Sequence, residues 1–249
     1  MQVFGHRGAA GEAPENTLAG ARRAIDAGVT CIEIDLRLTA DLQLAVLHDR
    51  SLQRTAGIKA NIDEINAHEL AATNACQALP GWSGEACPIP LLEELLHGAP
   101  ELETVQLELK SDASTNVDAL VNALDEYFPT ARAARHVVAT SFDDEIIATL
   151  AERAPHIRRG IVAKENPLAA QARALELGCD YLCLLYKLVA GASQALCEAL
   201  AGSPLHVSCW TVNKETDLQA LQRSGAVDSI ITDLPSSLYP LCKNPAEHA

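Results

Sequence analysis

Basic residues are scarce in this sequence. Its 249 residues include 19 lysines and arginines against 33 aspartates and glutamates, which gives a formal net charge of −14 and an isoelectric point near 4.9. Nucleic acids and anionic membranes are bound by faces rich in positive charge, which neutralise phosphates. The composition therefore argues against nucleic acid and against stable membrane association. A small anionic substrate is compatible with it, provided that positive charge is concentrated at one site.

Long apolar stretches are missing as well. A helix that spans a bilayer needs about 20 consecutive apolar residues. The apolar segment at residues 181–186 is far shorter and ends at Lys187. The first residues lack the basic start and the following apolar segment of a secretory signal. We therefore expect a cytoplasmic protein.

The eight cysteines form no C-x-x-C pair and show no regular spacing. They stand at positions 31, 76, 87, 179, 183, 197, 209 and 242. Several lie inside apolar runs, where a free thiol behaves as a small hydrophobic side chain. Reduced thiols in a cytosolic protein are therefore favoured over the two alternatives, a zinc site and a disulfide framework.

Short β-like runs alternate with amphipathic, helix-like segments along the whole chain. The expected strands are residues 2–7, 30–38, 104–110, 136–140, 157–162, 180–185, 206–212 and 229–232. The expected helices are residues 17–27, 91–96, 117–127, 143–154, 167–177, 193–201 and 215–224. About eight β–α units in about 250 residues predict an α/β fold, a (β/α)₈ or TIM barrel, with residues 1–249 as a single domain. A doubly wound open sheet is the alternative, but no G-x-G-x-x-G motif follows the first strand.

Residues 51–90 interrupt this alternation of strands and helices. Residues 42–48 look like a continuation of the second strand, and a short helical segment at 62–73 precedes a stretch rich in glycine and proline. We interpret residues 51–90 as a small insertion between the second strand and its helix. Such an insertion in a barrel commonly lies over the active face. An inert surface element fits the sequence equally well.

Charged and apolar residues alternate in two of the expected strands, I-E-I-D-L-R-L at 32–38 and V-Q-L-E-L-K at 105–110. In a barrel the apolar face of a strand meets the helices, so the polar face points inside. Carboxylates confined there cost several kcal/mol each unless positive charge compensates them. Glu33, Asp35 and Glu108 are therefore predicted to bind a hard divalent cation, Mg²⁺ or Ca²⁺. The alternative is an amphipathic strand with its charges in water.

Two histidines stand at the carboxyl ends of expected strands, where barrels carry their catalytic groups. His6 and Arg7 close the first strand, and His48 is followed by Asp49. An imidazole can act near neutral pH as a general acid, a general base or a nucleophile. Arg7 offers a fork of donors to a phosphate, and Lys110 offers a point charge.

Other positions are weaker candidates. The segment P-E-N-T at 14–17 opens the first helix, with Asn16 or Thr17 as the expected N-cap. Trp210, in a late strand, is a candidate for lining a ligand pocket, although a buried core tryptophan is the ordinary interpretation. The remaining histidines, at 68, 97, 136, 156, 206 and 248, stand in no comparable group.

Taken in order, these segments resemble the glycerophosphodiester phosphodiesterase family. The matching segments are His6-Arg7-Gly8, A-P-E-N-T at 13–17, Glu33-Ile34-Asp35, His48-Asp49 with L-Q-R-T at 52–55, Ile89-Pro90 with L-E-E at 92–94, L-E-L-K at 107–110, Ser141-Phe142, W-T-V-N at 210–213 and I-T-D at 231–233. The resemblance covers nearly the whole chain. The short segment before His-Arg-Gly is similar to that of bacterial cytosolic members.

The resemblance implies a (β/α)₈ barrel, a divalent metal, and hydrolysis of glycerophosphodiesters to sn-glycerol 3-phosphate and an alcohol. The residues that it assigns by position are the metal ligands Glu33, Asp35 and Glu108, the acid–base histidines His6 and His48, and the phosphate contacts Arg7 and Lys110. Glu15 and Trp210 also lie in matching segments and are included as candidates for substrate binding.

The chain departs from the family pattern at two places. Residues 73–86 are not typical, which leaves recognition of the alcohol group open. Ser229 stands where the family usually has glycine, a tight packing position that is not expected to affect the chemistry.

Two other functions stay open. A lysophospholipase-D-like or cyclising phosphodiesterase would use the same barrel, but lysolipids need an apolar groove and only 4% of the residues are aromatic. A non-catalytic barrel that binds phosphodiesters would require a damaged site, whereas all the predicted functional residues are present.

Overall fold

The computed structural model describes residues 1–243. Within them the strands are β1 Gln2–His6, β2 Cys31–Leu38, β3 Leu44–Val46, β4 Thr104–Leu109, β5 Val137–Ser141, β6 Arg158–Ala163, β7 Tyr181–Leu185, β8 His206–Trp210 and β9 Ser229–Thr232. All except β3 run parallel to their neighbours, and β1 pairs with both β2 and β9. The sheet is therefore a closed barrel of eight parallel strands. This confirms the predicted TIM barrel and rules out the open doubly wound sheet.

Helices lie between the barrel strands. They are α1 Leu18–Asp26, α2 Gln53–Ala56, α3 Ala67–Leu70, α4 Leu92–Gly98, α5 Val117–Tyr127, α6 Asp144–Arg153, α7 Pro167–Glu176, α8 Gln194–Ala201, α9 Glu215–Ser224 and α10 Pro235–Lys243. The seven helices predicted between the barrel strands are all present to within a few residues, whereas the helical segment predicted at 62–73 is not a single helix. The sequence pattern missed α10, which begins at Pro235, contains Pro240 and packs against β1. In residues 1–243 no helix has the length and apolar character needed to cross a bilayer. His248 lies outside the described residues.

The main core lies between the barrel and its helices. Ile32, Ile34 and Leu36 on β2 are fully buried there, as are Leu107 and Leu109 on β4. Burying such a side chain contributes about 1.5–3 kcal/mol. Because successive side chains in a strand alternate in direction, the acidic residues between them must point into the barrel. The core thus fixes the orientation of the charged face.

The structure corrects the prediction for residues 42–48. β3 does not continue β2 but returns antiparallel beside it, with Leu36 opposite Val46. The turn between them passes through Leu42, whose φ of 61° is in the left-handed region. The amide of Leu47 donates to the carbonyl of Asp35 at 3.0 Å. This hairpin therefore returns the chain to the barrel mouth and delivers His48 next to Asp35.

The predicted helical segment at 62–73 is also wrong as a single element. It consists of a 3₁₀ turn at Ile62–Glu64 and the short helix α3. The backbone between them is extended at Asn66, whose amide donates to the Glu69 carboxylate at 2.9 Å. An asparagine of this kind favours a new helix start over continuation of the preceding turn.

The insertion has an apolar cluster that is separate from the main core. Its buried members are Ala45, Leu47, Leu52, Ile62, Leu70, Ala75 and Ile89. Two of these, Ala45 and Leu47, belong to the β3 hairpin rather than to residues 51–90. The insertion therefore packs on the same hairpin that positions His48.

Candidate active site

Glu33, Asp35 and Glu108 converge inside the barrel. The register of β2 and β4 places Asp35 directly beside Glu108, and one carboxylate oxygen from each of the three residues lies within 4.8 Å of the others. Glu33 is only 2% exposed and Asp35 only 1%. The three carboxylates therefore form an interior cluster rather than a solvated face.

Two cations neutralise part of this cluster. The Nζ atom of Lys110 lies 2.5 Å from a Glu108 oxygen and 3.3 Å from an Asp35 oxygen. The Nε atom of Arg7 lies 3.2 Å from the other Asp35 oxygen. Burial works against ionisation of Asp35, but Lys110 and Arg7 lower its pKa to about 2.

Glu33 has no comparable compensation. Burial, together with the charge of Asp35, raises the pKa of Glu33 to about 8, and the same two causes raise the pKa of Glu108. The Oε1 atom of Glu33 is buried without a hydrogen-bond partner, a condition that costs about 1–3 kcal/mol. Three hard oxygen donors with one buried, unpartnered atom fit a divalent cation such as Mg²⁺ or Ca²⁺.

His6 lies against the Glu33 side of the cluster. The register of β1 and β2 pairs it with Glu33, and its Nε2 atom is 3.8 Å from the Glu33 carboxylate. Its Nδ1 atom is 2.6 Å from Asp233, whose other oxygen accepts from the Asn213 amide at 2.5 Å. Burial works to lower the pKa of His6, but the hydrogen bond with Asp233 and the charge of Glu33 leave it raised.

His48 lies at the Asp35 side and is more open to solvent. Its Nδ1 atom is 2.7 Å from the carboxylate of Asp49, the next residue in the chain. Its backbone carbonyl accepts from Arg37 Nε at 2.8 Å. Burial lowers the pKa of His48. In both predicted catalytic histidines the Nδ1 atom is thus hydrogen-bonded to a carboxylate. This bond favours the tautomer with its proton on Nδ1, in which Nε2 is an acceptor.

The segment His6-Arg7-Gly8 is shaped by its backbone. Arg7 has a φ of 49°, an unfavourable left-handed conformation for a residue with a side chain. This turn lets the Arg7 amide donate to the Glu33 carboxylate at 3.2 Å. Gly8 follows with a φ of 85°, and a Cβ there would lie 2.6 Å from the backbone of Gly20 in α1. Glycine therefore permits α1 to approach the end of β1.

The segment P-E-N-T does more than begin a helix. Thr17 is the N-cap of α1, since its hydroxyl accepts from the Gly20 amide at 3.1 Å. Asn16 donates to the Asp35 carboxylate at 2.8 Å and accepts from the Asp35 backbone amide at 3.1 Å. Glu15, 9% exposed, accepts hydrogen bonds from both Arg7 and Arg54. This segment therefore orients a predicted metal ligand and a predicted phosphate contact.

Trp210 ends β8 at the barrel mouth. Its indole donates to the carbonyl of Cys183 at 3.2 Å, and its ring packs on apolar side chains that include Phe4. The exposed ring of Phe142, just after β5, meets it edge to face with 5.5 Å between ring centroids. The two aromatic rings thus lie together at the carboxyl ends of the strands.

Residues 6–237 match the Glycerophosphoryl diester phosphodiesterase family. This chain belongs to that family. A protein of Caldanaerobacter subterraneus named glycerophosphodiester phosphodiesterase is 28% identical and covers 97% of both chains. One of the same name from Bacillus altitudinis is 28% identical over 94% of this chain and 95% of its own. An Oleispira antarctica phosphodiesterase, solved in complex with the product sn-glycerol-3-phosphate, matches with a TM-score of 0.84 and 25% identity over 98% of this chain and 97% of its own.

The predicted family and the phosphodiesterase class are thereby confirmed. In this member of the glycerophosphodiester phosphodiesterase family, the sequence pattern predicted the candidate catalytic and metal-binding residues but not the side chains that bind them. The missed residues are Asn16, Asp49, Arg54, Asn213 and Asp233. All of them lie inside the segments that carried the family resemblance. Their place in those segments was the signal that could have revealed them.

Proposed function

We propose that this protein hydrolyses glycerophosphodiesters to sn-glycerol 3-phosphate and an alcohol. In this proposal Glu33, Asp35 and Glu108 hold a divalent cation, and His6 and His48 are the acid–base pair. The observation that carries it is the convergence of three buried carboxylates beside two histidines that each have a carboxylate partner. The Oleispira relative with bound sn-glycerol-3-phosphate supports the product assignment.

The acidic cluster supports the proposal that the site binds a cation. A bound Mg²⁺ or Ca²⁺ supplies electrostatic stabilisation as negative charge builds up on the phosphate, worth several kcal/mol. In a chain of net charge −14, positive charge at this point is also needed for an anionic substrate to approach. Arg7 and Lys110 add to it, and we propose that both orient the phosphate.

His6 and His48 carry out the proton transfers of the proposed reaction. Each directs Nδ1 to an aspartate, so each presents Nε2 to the reaction. One histidine takes the proton of the attacking oxygen, and the other gives a proton to the departing alcohol. Each transfer is typically worth about 10²–10⁴-fold. A substrate with a leaving group that departs without a proton, such as p-nitrophenol, shows which histidine is the acid. Turnover of this substrate should survive substitution of the acid histidine but not of the base histidine.

The deciding experiment is removal of metal with EDTA followed by its readdition. Glycerophosphocholine, glycerophosphoethanolamine and a lysolipid serve as substrates, and products are identified by phosphorus NMR. We expect activity to disappear with EDTA, to return with Mg²⁺ or Ca²⁺, and to yield sn-glycerol 3-phosphate. A persistent cyclic phosphate or a preference for the lysolipid would identify the cyclising or lysophospholipase-D-like alternative. Binding without turnover under any divalent metal would identify the non-catalytic barrel.

Glu108→Gln tests the metal assignment. We expect this variant to keep the folded barrel and to lose metal-dependent turnover by at least about 10²-fold, because a neutral amide replaces one anionic ligand. Glu103→Gln is the matched control, since Glu103 is exposed and lies just before the start of the same strand. Normal turnover with metal still bound to Glu108→Gln would contradict the assignment.

We further propose that residues 1–249 act as one catalytic domain, with residues 51–90 as an insertion subdomain, and that the protein works in the cytoplasm. The negative net charge supports a small-molecule substrate over nucleic acid or a stable membrane partner.

A further inference from the structure

Arg54 belongs to the insertion, on α2, yet its guanidinium binds residues outside it. Its Nε donates to the Asp49 carboxylate at 2.6 Å. Its two terminal nitrogens donate to the two oxygens of Glu15, each at 2.7 Å. This is the fork geometry in which arginine binds carboxylates most specifically. The three bonds fix one arginine to two carboxylates.

Both carboxylates lead back to the active site. Asp49 uses its other oxygen to bind Nδ1 of His48. Glu15 is also bound by Arg7 at 2.8 Å, and Arg7 in turn lies beside Asp35. An alternating series of charges therefore runs through Asp35, Arg7, Glu15, Arg54, Asp49 and His48. Arg54 is the member of this series that the insertion supplies.

The two histidine–aspartate pairs differ in how they are held. Asp233 directly follows β9 in the barrel and accepts from the Asn213 side chain. Asp49 lies in the loop after the short β3 strand, directly next to His48. The two aspartates are about equally exposed, 27% for Asp233 and 30% for Asp49, so the difference lies in the groups that bind them. An aspartate adjacent to its histidine in a loop is free to rotate away unless another group binds it. The bond from Arg54 supplies that restraint.

We propose that Arg54 is a positioning residue for His48. It binds Asp49 in the orientation that accepts the Nδ1 proton of His48, so that Nε2 faces the phosphate. Its hold on Glu15 anchors α2 to the barrel at the same time. The inference rests on the acid–base role proposed for His48. The proposal gives the insertion a part in the reaction, in place of the two earlier interpretations, an inert surface element and a segment that covers the active face.

Arg54→Gln is the first test. We expect kcat to fall about 10–100-fold, the range typical for loss of an outer residue that orients a metal-binding side chain, while KM changes less than about twofold. Arg54→Lys should recover only part of kcat, because a single ammonium cannot reproduce the three-bond fork. A rise in KM with unchanged kcat would mean that Arg54 binds substrate, and would overturn the proposal.

Arg50→Gln is the matched control. Arg50 lies four positions earlier in the sequence, is 40% exposed against 45% for Arg54, and makes a two-bond pair of 2.8 Å with Asp63 inside the insertion. We expect normal kcat and KM for this variant. An equal loss in both variants would show that the insertion merely needs its ion pairs for folding, and would overturn the assignment.

A double-mutant cycle shows through which histidine Arg54 acts. In a His48→Asn background, Arg54→Gln should lower kcat little further. In a His6→Asn background, Arg54→Gln should lower kcat by the same factor as in the wild-type protein. Equal effects in both backgrounds would refute the proposal. Normal activity of His48→Asn alone would instead overturn the proposed acid–base pair, so the two failures are distinguishable.

Asp49→Asn is a second test of the positioning role, for use if circular dichroism shows that Arg54→Gln is unfolded. The amide keeps the size of the side chain but weakens its bonds to Arg54 and His48. We expect it to lower kcat at least as much as Arg54→Gln does, because Asp49 is the direct partner of His48. A folded Asp49→Asn variant with wild-type kcat would contradict the positioning role.

Discussion

The ionisation of Glu33 is opposed by its burial and by the charge of Asp35. Its pKa of about 8 in the metal-free protein means that it is protonated at pH 7, yet a metal ligand must be ionised. Binding of Mg²⁺ should therefore release a proton, and the apparent dissociation constant should fall by up to about tenfold per pH unit as the pH rises toward 8. Calorimetry in two buffers of different ionisation enthalpy measures the released proton.

The raised pKa of Glu33 also determines how the stability of the fold changes with pH. Because the folded pKa of Glu33 is raised above the usual value of 4.5, the metal-free fold should lose stability as the pH rises from about 5 to about 8. Glu33→Gln should reduce both that loss and the proton release, with a remainder from Glu108, whose pKa is also raised. Proton-free metal binding by the wild-type protein would show that Glu33 is already ionised.

Asp233 should matter to catalysis although it lies outside the carboxylate cluster. Asp233→Asn keeps the shape but no longer favours the His6 tautomer with its proton on Nδ1, so we expect kcat to drop by about 10²–10⁴-fold. Asp143→Asn, at the N-cap of α6, is a control that should leave kcat unchanged. Turnover of Asp233→Asn within twofold of wild type would mean that this hydrogen bond is not used in the reaction.

At the scale of elements, the insertion and the β2–β3 hairpin form one unit. Leu70 of α3 is 1% exposed in their shared apolar cluster. Leu70→Ala should cost about 2–5 kcal/mol locally. We expect faster hydrogen exchange in residues 45–76 with the barrel strands still protected, and a lower kcat because Arg54 and His48 lose their support.

Leu175→Ala is the corresponding control. Leu175 lies on α7 and is 47% exposed, so its truncation should change neither exchange nor kcat. Equal acceleration of exchange throughout the barrel in Leu70→Ala would show that the insertion and barrel unfold as one cooperative unit.

At the scale of the whole molecule, the net charge of −14 should repel anionic substrates at low salt. Raising the ionic strength from about 0.01 to 0.15 M shortens the screening length from about 30 to 8 Å. We therefore expect kcat/KM to increase for anionic glycerophosphoglycerol and to change little for zwitterionic glycerophosphocholine. A decrease for glycerophosphoglycerol would show that the cations of the site dominate the approach.

The sequence predicted the features that depend on local periodicity. The alternation around Glu33 and Glu108 identified the inward face because the helices cover the other one. The direction of β3 was missed because Leu42, at the turn, is a residue type that rarely adopts a positive φ. The segment I-T-D marks Asp233 as a candidate, but its bond with His6 joins residues 227 positions apart, so the pairing becomes visible only in the closed barrel. α10 was missed because of its internal proline.

The pairing of β1 with β9 joins the first and the last strands of residues 1–243. A fragment that ends before β9 keeps His6 but lacks Asp233, so it has lost one of the two histidine–aspartate pairs. The same truncation leaves the cylinder open, because β9 is the strand that closes it against β1.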